Sequence, residues 1–139
     1  MRRLSFFLQN RHGGAAVEMA IVAPVVAGLA LVSAEVWMMA MDKQRAATAL
    51  EAAVDYYMGG GISDPEAAEV AMDAWDDPPS GANVSYARSG RCGVDEADLA
   101  LLCADGDAPA AYVTLTASGE SQGLFDQRPV EASRMVRVR

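Results

Sequence analysis

Residues 13–41 read GGAAVEMAIVAPVVAGLALVSAEVWMMAM, and this stretch decides the fold of the chain. Its central part, Met19–Ala34, holds sixteen residues without a charge, and Glu35 is the one charged residue between there and Met41. About 20 helical residues, rising 1.5 Å each, cross the roughly 30 Å hydrocarbon core of a bilayer. The stretch therefore predicts a transmembrane helix.

The charges on the two sides of this segment differ in sign. Three of the eleven Lys and Arg residues lie in residues 1–13, which contain no acid, whereas the rest of the chain holds all nineteen Asp and Glu residues. Basic residues beside a span favour the cytoplasmic side. We therefore expect residues 1–13 in the cytoplasm and residues 62–139 on the other side of the membrane. The outer part is acidic and has no basic stripe, so we do not expect nucleic acid as a partner.

Two other interpretations of the N-terminal region stay open. A secretory signal peptide has an apolar core of about 7–15 residues and a small-x-small cleavage site. Val32-Ser33-Ala34 and Ser33-Ala34-Glu35 fit such a site loosely. An uncleaved single-pass anchor suits the longer apolar run better than a signal peptide does.

The helical pattern continues beyond the apolar segment, so that one helix is predicted from Ala15 to Met58 and a helical region over residues 14–61. Apolar residues at i, i+3, i+4 and i+7 spacing indicate one buried face. They are Ala46, Ala47, Leu50, Ala53, Val54 and Tyr57. Gly59-Gly60-Gly61 should end the helix, because glycine adopts the left-handed C-cap conformation without steric cost.

A small α+β domain is predicted over residues 62–139. Ser63-Asp64-Pro65-Glu66 is typical of a helix start, with a capping serine, proline in the first turn and glutamate three residues after the serine. Three alternating segments then predict an antiparallel β-meander of about three strands packed on the long helix. These segments are 83–87, 112–117 and 130–138, and the alternation of the last slips once, which predicts a bulge. Asp95–Leu102 is predicted to form one or two helical turns.

Cys92 and Cys103 lie in the excursion between the first two predicted strands. In a domain outside the cytoplasm, two cysteines most simply form a disulfide, and two buried free thiols are the alternative. The same excursion is acidic, but its spacing does not match an EF-hand, so we expect a solvated loop rather than a calcium site. Its acids are Asp95, Glu96, Asp98, Asp105 and Asp107.

An enzyme is not predicted. The single histidine, His12, lies in the leader, on the opposite side of the membrane from both cysteines, so no Cys–His pair is expected. The glycine run 59–61 lacks the lysine of a phosphate-binding loop. We therefore predict no catalytic residue, no metal site and no cofactor.

Glu18 is the residue that needs an explanation. A carboxylate in the bilayer costs roughly 3 kcal/mol even on lenient scales, unless it snorkels to the headgroups from the first turn of the helix. Gly13-Gly14 is a flexible pair at the membrane boundary, suited to the extended conformation that a protease requires. Cleavage there would create an α-amino group with a pKa of about 8, a cation that could pair with Glu18.

These residues resemble a known family. The stretch from Gly13 to Pro24 resembles the N-terminus of type IV pilin-like proteins, in which a basic leader ends in glycine and a glutamate is fifth in the mature chain. Ala16-Val17-Glu18 followed by Pro24 is similar to TadE-like pseudopilins of the tight-adherence (Tad) system, although Met19 stands where these proteins usually have Phe or Tyr. The Val-Thr-Leu-Thr strand and the terminal Glu-Ala-Ser-Arg-Met-Val-Arg segment agree with their layout.

The resemblance implies a minor pilin or pseudopilin of a Flp-type (type IVb) pilus. A prepilin peptidase would cleave between Gly13 and Gly14, and the mature helix would lie in the bacterial inner membrane with a periplasmic domain. The subunit would then pack into, prime or cap the adhesive pilus, with other pilin subunits and the assembly platform as partners. Glu18 would neutralise the N-terminus of a neighbouring subunit, and Pro24 would permit local unwinding. The alternative is an uncleaved single-pass anchor that presents an acidic binding module in the cell envelope.

Overall fold

The computed structural model describes residues 12–138, so residues 1–11 of the predicted leader and Arg139 lie outside the described residues. The fold is α+β, with two helices followed by a four-stranded antiparallel sheet, where about three strands were expected. The elements are α1 (His12–Met58), α2 (Asp64–Ala74), β1 (Ser80–Cys92), β2 (Asp95–Ala97), β3 (Ala110–Gln122) and β4 (Gln127–Arg137). The chain divides into two units, with the boundary between Trp37 and Met38.

The first unit contains the apolar part of α1. The helical segment Ala16–Met58 includes a stretch long and apolar enough to cross a membrane, and none of that stretch is buried. The side chains exposed here include Ile21, Val22, Val25, Val26, Leu29, Leu31, Val32 and Trp37. Ser33 donates its hydroxyl hydrogen bond to the Leu29 carbonyl at 2.8 Å, so this polar group is satisfied within the helix. An apolar surface on all sides of a helix is typical of one that lies in lipid or in a protein interior.

The second unit begins with the amphipathic part of α1. Ala46, Leu50, Ala53 and Tyr57 are buried as predicted, and Ala49 joins them. The other two predicted members, Ala47 and Val54, are only half-buried, because they lie at the edge of the buried stripe.

The predicted glycine cap ends α1. Gly60 has a φ of 96°, and the Gly61 N–H donates to the Tyr56 carbonyl at 2.9 Å. Ser63 then caps α2 by accepting a hydrogen bond from the Glu66 N–H at 3.4 Å. The Glu66 carboxylate accepts a hydrogen bond from the Tyr56 hydroxyl at 2.5 Å, and this contact links α2 to the end of α1.

The sheet has the strand order β2-β1-β3-β4, and every neighbouring pair is antiparallel. The pairing of β3 with β4 is unbroken from Tyr112↔Arg137 to Gln122↔Gln127, so the bulge predicted in the last strand is wrong. Arg134 lies opposite the buried Leu115 and interrupts the inward-facing apolar residues of β4, while Met135 is half exposed on the other face. The slip in the alternation of this segment comes from Met135, an apolar residue on the outer face. The irregular pairing in this sheet lies in β1, between Ser80 and Asn83.

The helical turns predicted for Asp95–Leu102 are also wrong, because the second half forms only one hydrogen-bonded turn, from the Leu101 N–H to the Asp98 carbonyl at 3.1 Å. Asp95–Ala97 forms β2, which pairs with the end of β1 through Cys92↔Asp95 and Gly90↔Ala97. The connecting turn contains only two residues, and such turns require positive φ values. Gly93, with a φ of 67°, provides one.

One face of the sheet packs against the two helices. The largest fully buried side chains are Leu50 of α1 and Val113 and Leu115 of β3. The remainder of this core is built largely from alanines, with Trp75 covering its edge at 4% exposure. The core alanines are Ala46, Ala49 and Ala53 of α1, Ala67, Ala68 and Ala71 of α2, and Ala117 of β3. Small side chains bring helices and sheet close together, so this face tolerates little added volume.

Candidate processing and assembly site

The predicted processing residues lie at the start of α1. Gly13 and Gly14 are helical, because α1 spans His12–Met58 in the described residues, whereas the helix was predicted to start at Ala15. Glycine is about 1 kcal/mol worse than alanine in a helix, so the two glycines weaken this part of α1. A methyl group added at Gly14 would meet no atom within 4 Å.

Glu18 lies one turn beyond Gly14, and its side chain is exposed. Val17, Met19 and Ile21 around it are 62–67% exposed, so the carboxylate stands in an apolar surface. Among the residues that the structure describes, Glu18 has no hydrogen-bond or ion-pair partner. The geometry leaves the carboxylate accessible to a group from outside the described chain.

Pro24 lies inside α1 and is also exposed. Its ring nitrogen has no hydrogen, so the Ala20 carbonyl lacks the donor that would normally come from position 24. The helix continues through this point, but one rung of its hydrogen-bond ladder is missing. Pro24 therefore marks a place where the helix is easier to unwind.

The predicted disulfide is present between Cys92 and Cys103, whose Cα atoms are 5.6 Å apart. It ties the end of β1 to the loop before β3, where the Cys103 N–H donates to the Asp107 carbonyl at 2.8 Å. Two acids of the loop accept backbone hydrogen bonds in local turns, Asp98 from Ala100 and Asp105 from Asp107. In the part of the chain that the structure describes, no three His, Cys, Asp or Glu residues are grouped so that they could hold a metal ion.

A buried charged cluster was missed in the sequence. Asp64, 8% exposed, accepts hydrogen bonds from Arg88 Nε at 2.5 Å and Arg88 Nη2 at 2.8 Å. The Tyr57 hydroxyl donates to the same carboxylate at 2.8 Å. The cluster therefore joins the end of α1, the start of α2 and the inner face of β1.

The three groups fix one another's protonation. The hydrogen bonds from Arg88 lower the pKa of Asp64 and outweigh the effect of its burial, while Asp64 in turn raises the pKa of Arg88. Burial, followed by the hydrogen bond to Asp64, raises the pKa of Tyr57 far above its ordinary value. At neutral pH the carboxylate is ionised and the phenol is neutral, so this arrangement serves as a structural link rather than a proton shuttle.

A sequence signal for this cluster does exist. Val84, Tyr86 and Arg88 alternate on one face of β1, and Arg88 lies opposite the buried Val113. A basic residue at an inward-facing strand position requires an acidic partner. Beside the cluster is an open cavity of about 350 Å³, whose lining includes Tyr57, Ile62 and Arg88.

Comparison of the chain with protein-family models, with curated proteins and with solved structures found no match. The resemblance to TadE-like pseudopilins therefore rests on the sequence segments named above and stays a prediction.

Proposed function

We propose that this protein is a minor pilin or pseudopilin, anchored by α1 and assembled into, or onto the base or tip of, a Flp-type adhesive pilus. One observation carries the proposal. The helix that bears Glu18 on an exposed apolar surface also contributes a buried stripe to a small, disulfide-closed α+β domain. A membrane-stored subunit needs both parts in one helix, an apolar part for lipid and an amphipathic part for its own domain.

Processing between Gly13 and Gly14 is the first step of the proposed function. It removes the basic leader and leaves a protonated α-amino group on Gly14. Glu18 is four residues away in sequence, and its accessible carboxylate would pair with the α-amino group of a neighbouring subunit. In an apolar environment such a pair is strong, because neither charge has water as an alternative partner.

The N-terminus of the protein isolated from its native host tests the processing step. Mass spectrometry should find a chain that begins at Gly14. Gly13→Leu should block cleavage, since the resemblance implies that the leader ends in glycine. Gly14→Ala is the matched control and should still be cleaved, since the helix leaves room for its methyl group. An intact Met1, or a start near Ala34, in the unmodified protein would contradict the proposal.

An uncleaved single-pass anchor that presents the acidic domain in the cell envelope is the second candidate. The helical conformation of Gly13 and Gly14 favours it, because a protease would first have to unwind that turn. The same mass spectrum separates the two candidates, since an anchor retains residues 1–13. Neither proposal assigns a catalytic residue or requires a cofactor.

A further inference from the structure

The turn between β3 and β4 carries an exposed apolar pair. Leu124 is 50% exposed and Phe125 is 66% exposed. The turn is tight, because the Gly123 N–H donates to the Asp126 carbonyl at 2.9 Å and the Gln127 N–H donates to the Asp126 carboxylate at 2.8 Å. The paired strands below it hold the two side chains at a fixed tip.

The contacts of β3 place this tip at one end of the domain. Ala111, near the start of β3, lines the same cavity as Tyr57, which is near the end of α1. At the other end of the strand, the Ser121 hydroxyl donates a hydrogen bond to the Asp42 carboxylate. β3 therefore runs opposite to the domain part of α1, and the turn lies at the end where the chain enters the domain at Met38.

This end of the domain lies next to the part of α1 that we propose to leave the membrane. The apolar segment ends near Met41, one residue before Asp42. β3 ends at Gln122, and the turn 123–126 extends beyond the contact between Ser121 and Asp42. The headgroup layer is about 5–8 Å thick on each side of the hydrocarbon core, so the turn can reach it.

We propose that Leu124 and Phe125 insert into the phospholipid headgroup layer on the outer side of the membrane and give the domain a second lipid contact. The inference rests on the proposed placement of α1 in the membrane. Position distinguishes this pair from other exposed apolar residues, which are common on protein surfaces. Leu101, in the disulfide loop, is equally exposed at 65%, but the pairing of β1 with β3 places that loop at the opposite end of the domain. It therefore serves as a matched control.

The test uses the full chain with its native disulfide intact and one added cysteine, labelled with the environment-sensitive dye NBD. The variants are Phe125→Cys, Leu124→Cys, Leu101→Cys and Val26→Cys. Each is reconstituted at low protein density in vesicles of phosphatidylethanolamine and phosphatidylglycerol. Lipids carrying a nitroxide either near the headgroup or near the bilayer centre then quench the dye according to its depth.

The labels at positions 124 and 125 should shift to the blue and lose emission to the headgroup nitroxide, as expected for interfacial insertion about 5–10 Å deep. The label at 26 should be quenched by the central nitroxide, and the label at 101 by neither. If the label at 26 is in lipid while those at 124 and 125 behave like the label at 101, the turn does not insert. α1 is then the only lipid contact among the labelled sites, and the inference is wrong. If the label at 26 is in water, the placement of α1 fails together with the inference. A blue shift at 125 without lipid quenching would indicate contact with a second copy and overturn the lipid assignment.

Discussion

Replacing Asp64 with asparagine removes one negative charge from the buried cluster and keeps the size of the side chain. The carboxylate accepts two hydrogen bonds from Arg88 and one from Tyr57. A hydrogen bond to a charged group contributes about 1.5–3 kcal/mol net to folding stability. The Arg88 side chain is 47% exposed, so water compensates part of the loss. We therefore expect Asp64→Asn to lower the free energy of unfolding by about 2 kcal/mol.

A surface ion pair of the same chain offers the matched control. Asp77 contacts Arg45 at 3.1 Å, but its side chain is 79% exposed. Exposed pairs of this kind contribute about 0–1 kcal/mol, so Asp77→Asn should change stability little. Both variants would be unfolded with urea in detergent micelles, with the fluorescence of the buried Trp75 as the signal.

The effect should also depend on pH. Because the pKa of Asp64 is lowered in the folded protein, its ionised form stabilises the fold fully above the unfolded value of about 3.9. That contribution is lost as the pH falls from there through the folded pKa. The difference between the unmodified protein and Asp64→Asn should thus be constant near neutral pH and shrink below about pH 4. Equal stability losses for Asp64→Asn and Asp77→Asn at neutral pH would refute the importance of the buried cluster.

Three further predictions follow from burial, covalent linkage and charge. Leu115→Ala should cost about 2–5 kcal/mol of unfolding free energy because Leu115 is fully buried, whereas Met135→Ala on the outer face should cost far less; urea denaturation distinguishes them. Replacing Cys92 and Cys103 with serine should lower stability by roughly 3 kcal/mol, measured against the oxidised protein, and a loss no larger than experimental error would show that the loop is ordered without the bond. Glu18→Ala should leave processing and the domain intact while impairing piliation, because an unpaired desolvated N-terminus costs on the order of 3–5 kcal/mol; normal piliation would mean that Glu18 only snorkels.

The helices could be predicted from the sequence because their signals are local. The stripe that includes Leu50 and Tyr57, the glycine cap after Met58 and the serine cap before Asp64 each depend on residues within a few positions of one another. The disulfide could be predicted because only two cysteines are present, so pairing within the chain has one solution.

The sheet register and the charged cluster depend on residues far apart in the sequence. The pairing of β4 with β3 decides which face of β4 points inward. Arg134 occupies an inward position, so the inward residues of β4 do not form a continuous apolar series in the sequence. Its guanidinium lies 3.8 Å from Glu51 of α1, so the edge of the core accommodates it. Asp64 and Arg88 are 24 residues apart, and only the packing of α2 against β1 brings them together. The alternation on β1 predicts that Arg88 needs an acid, but it does not identify which one.

The central position of β3 has a consequence for the order in which the chain can fold. This strand spans residues 110–122 of 139 and supplies Val113 and Leu115, two of the three largest fully buried side chains. During synthesis, the buried stripe of α1 and the inner face of α2 are complete long before this strand exists. Non-local contacts of this kind make folding slow and leave apolar surface exposed in the interim. The core can therefore close only after about Gln122 has been synthesised, and the apolar faces of the two helices lack their partner strand until then.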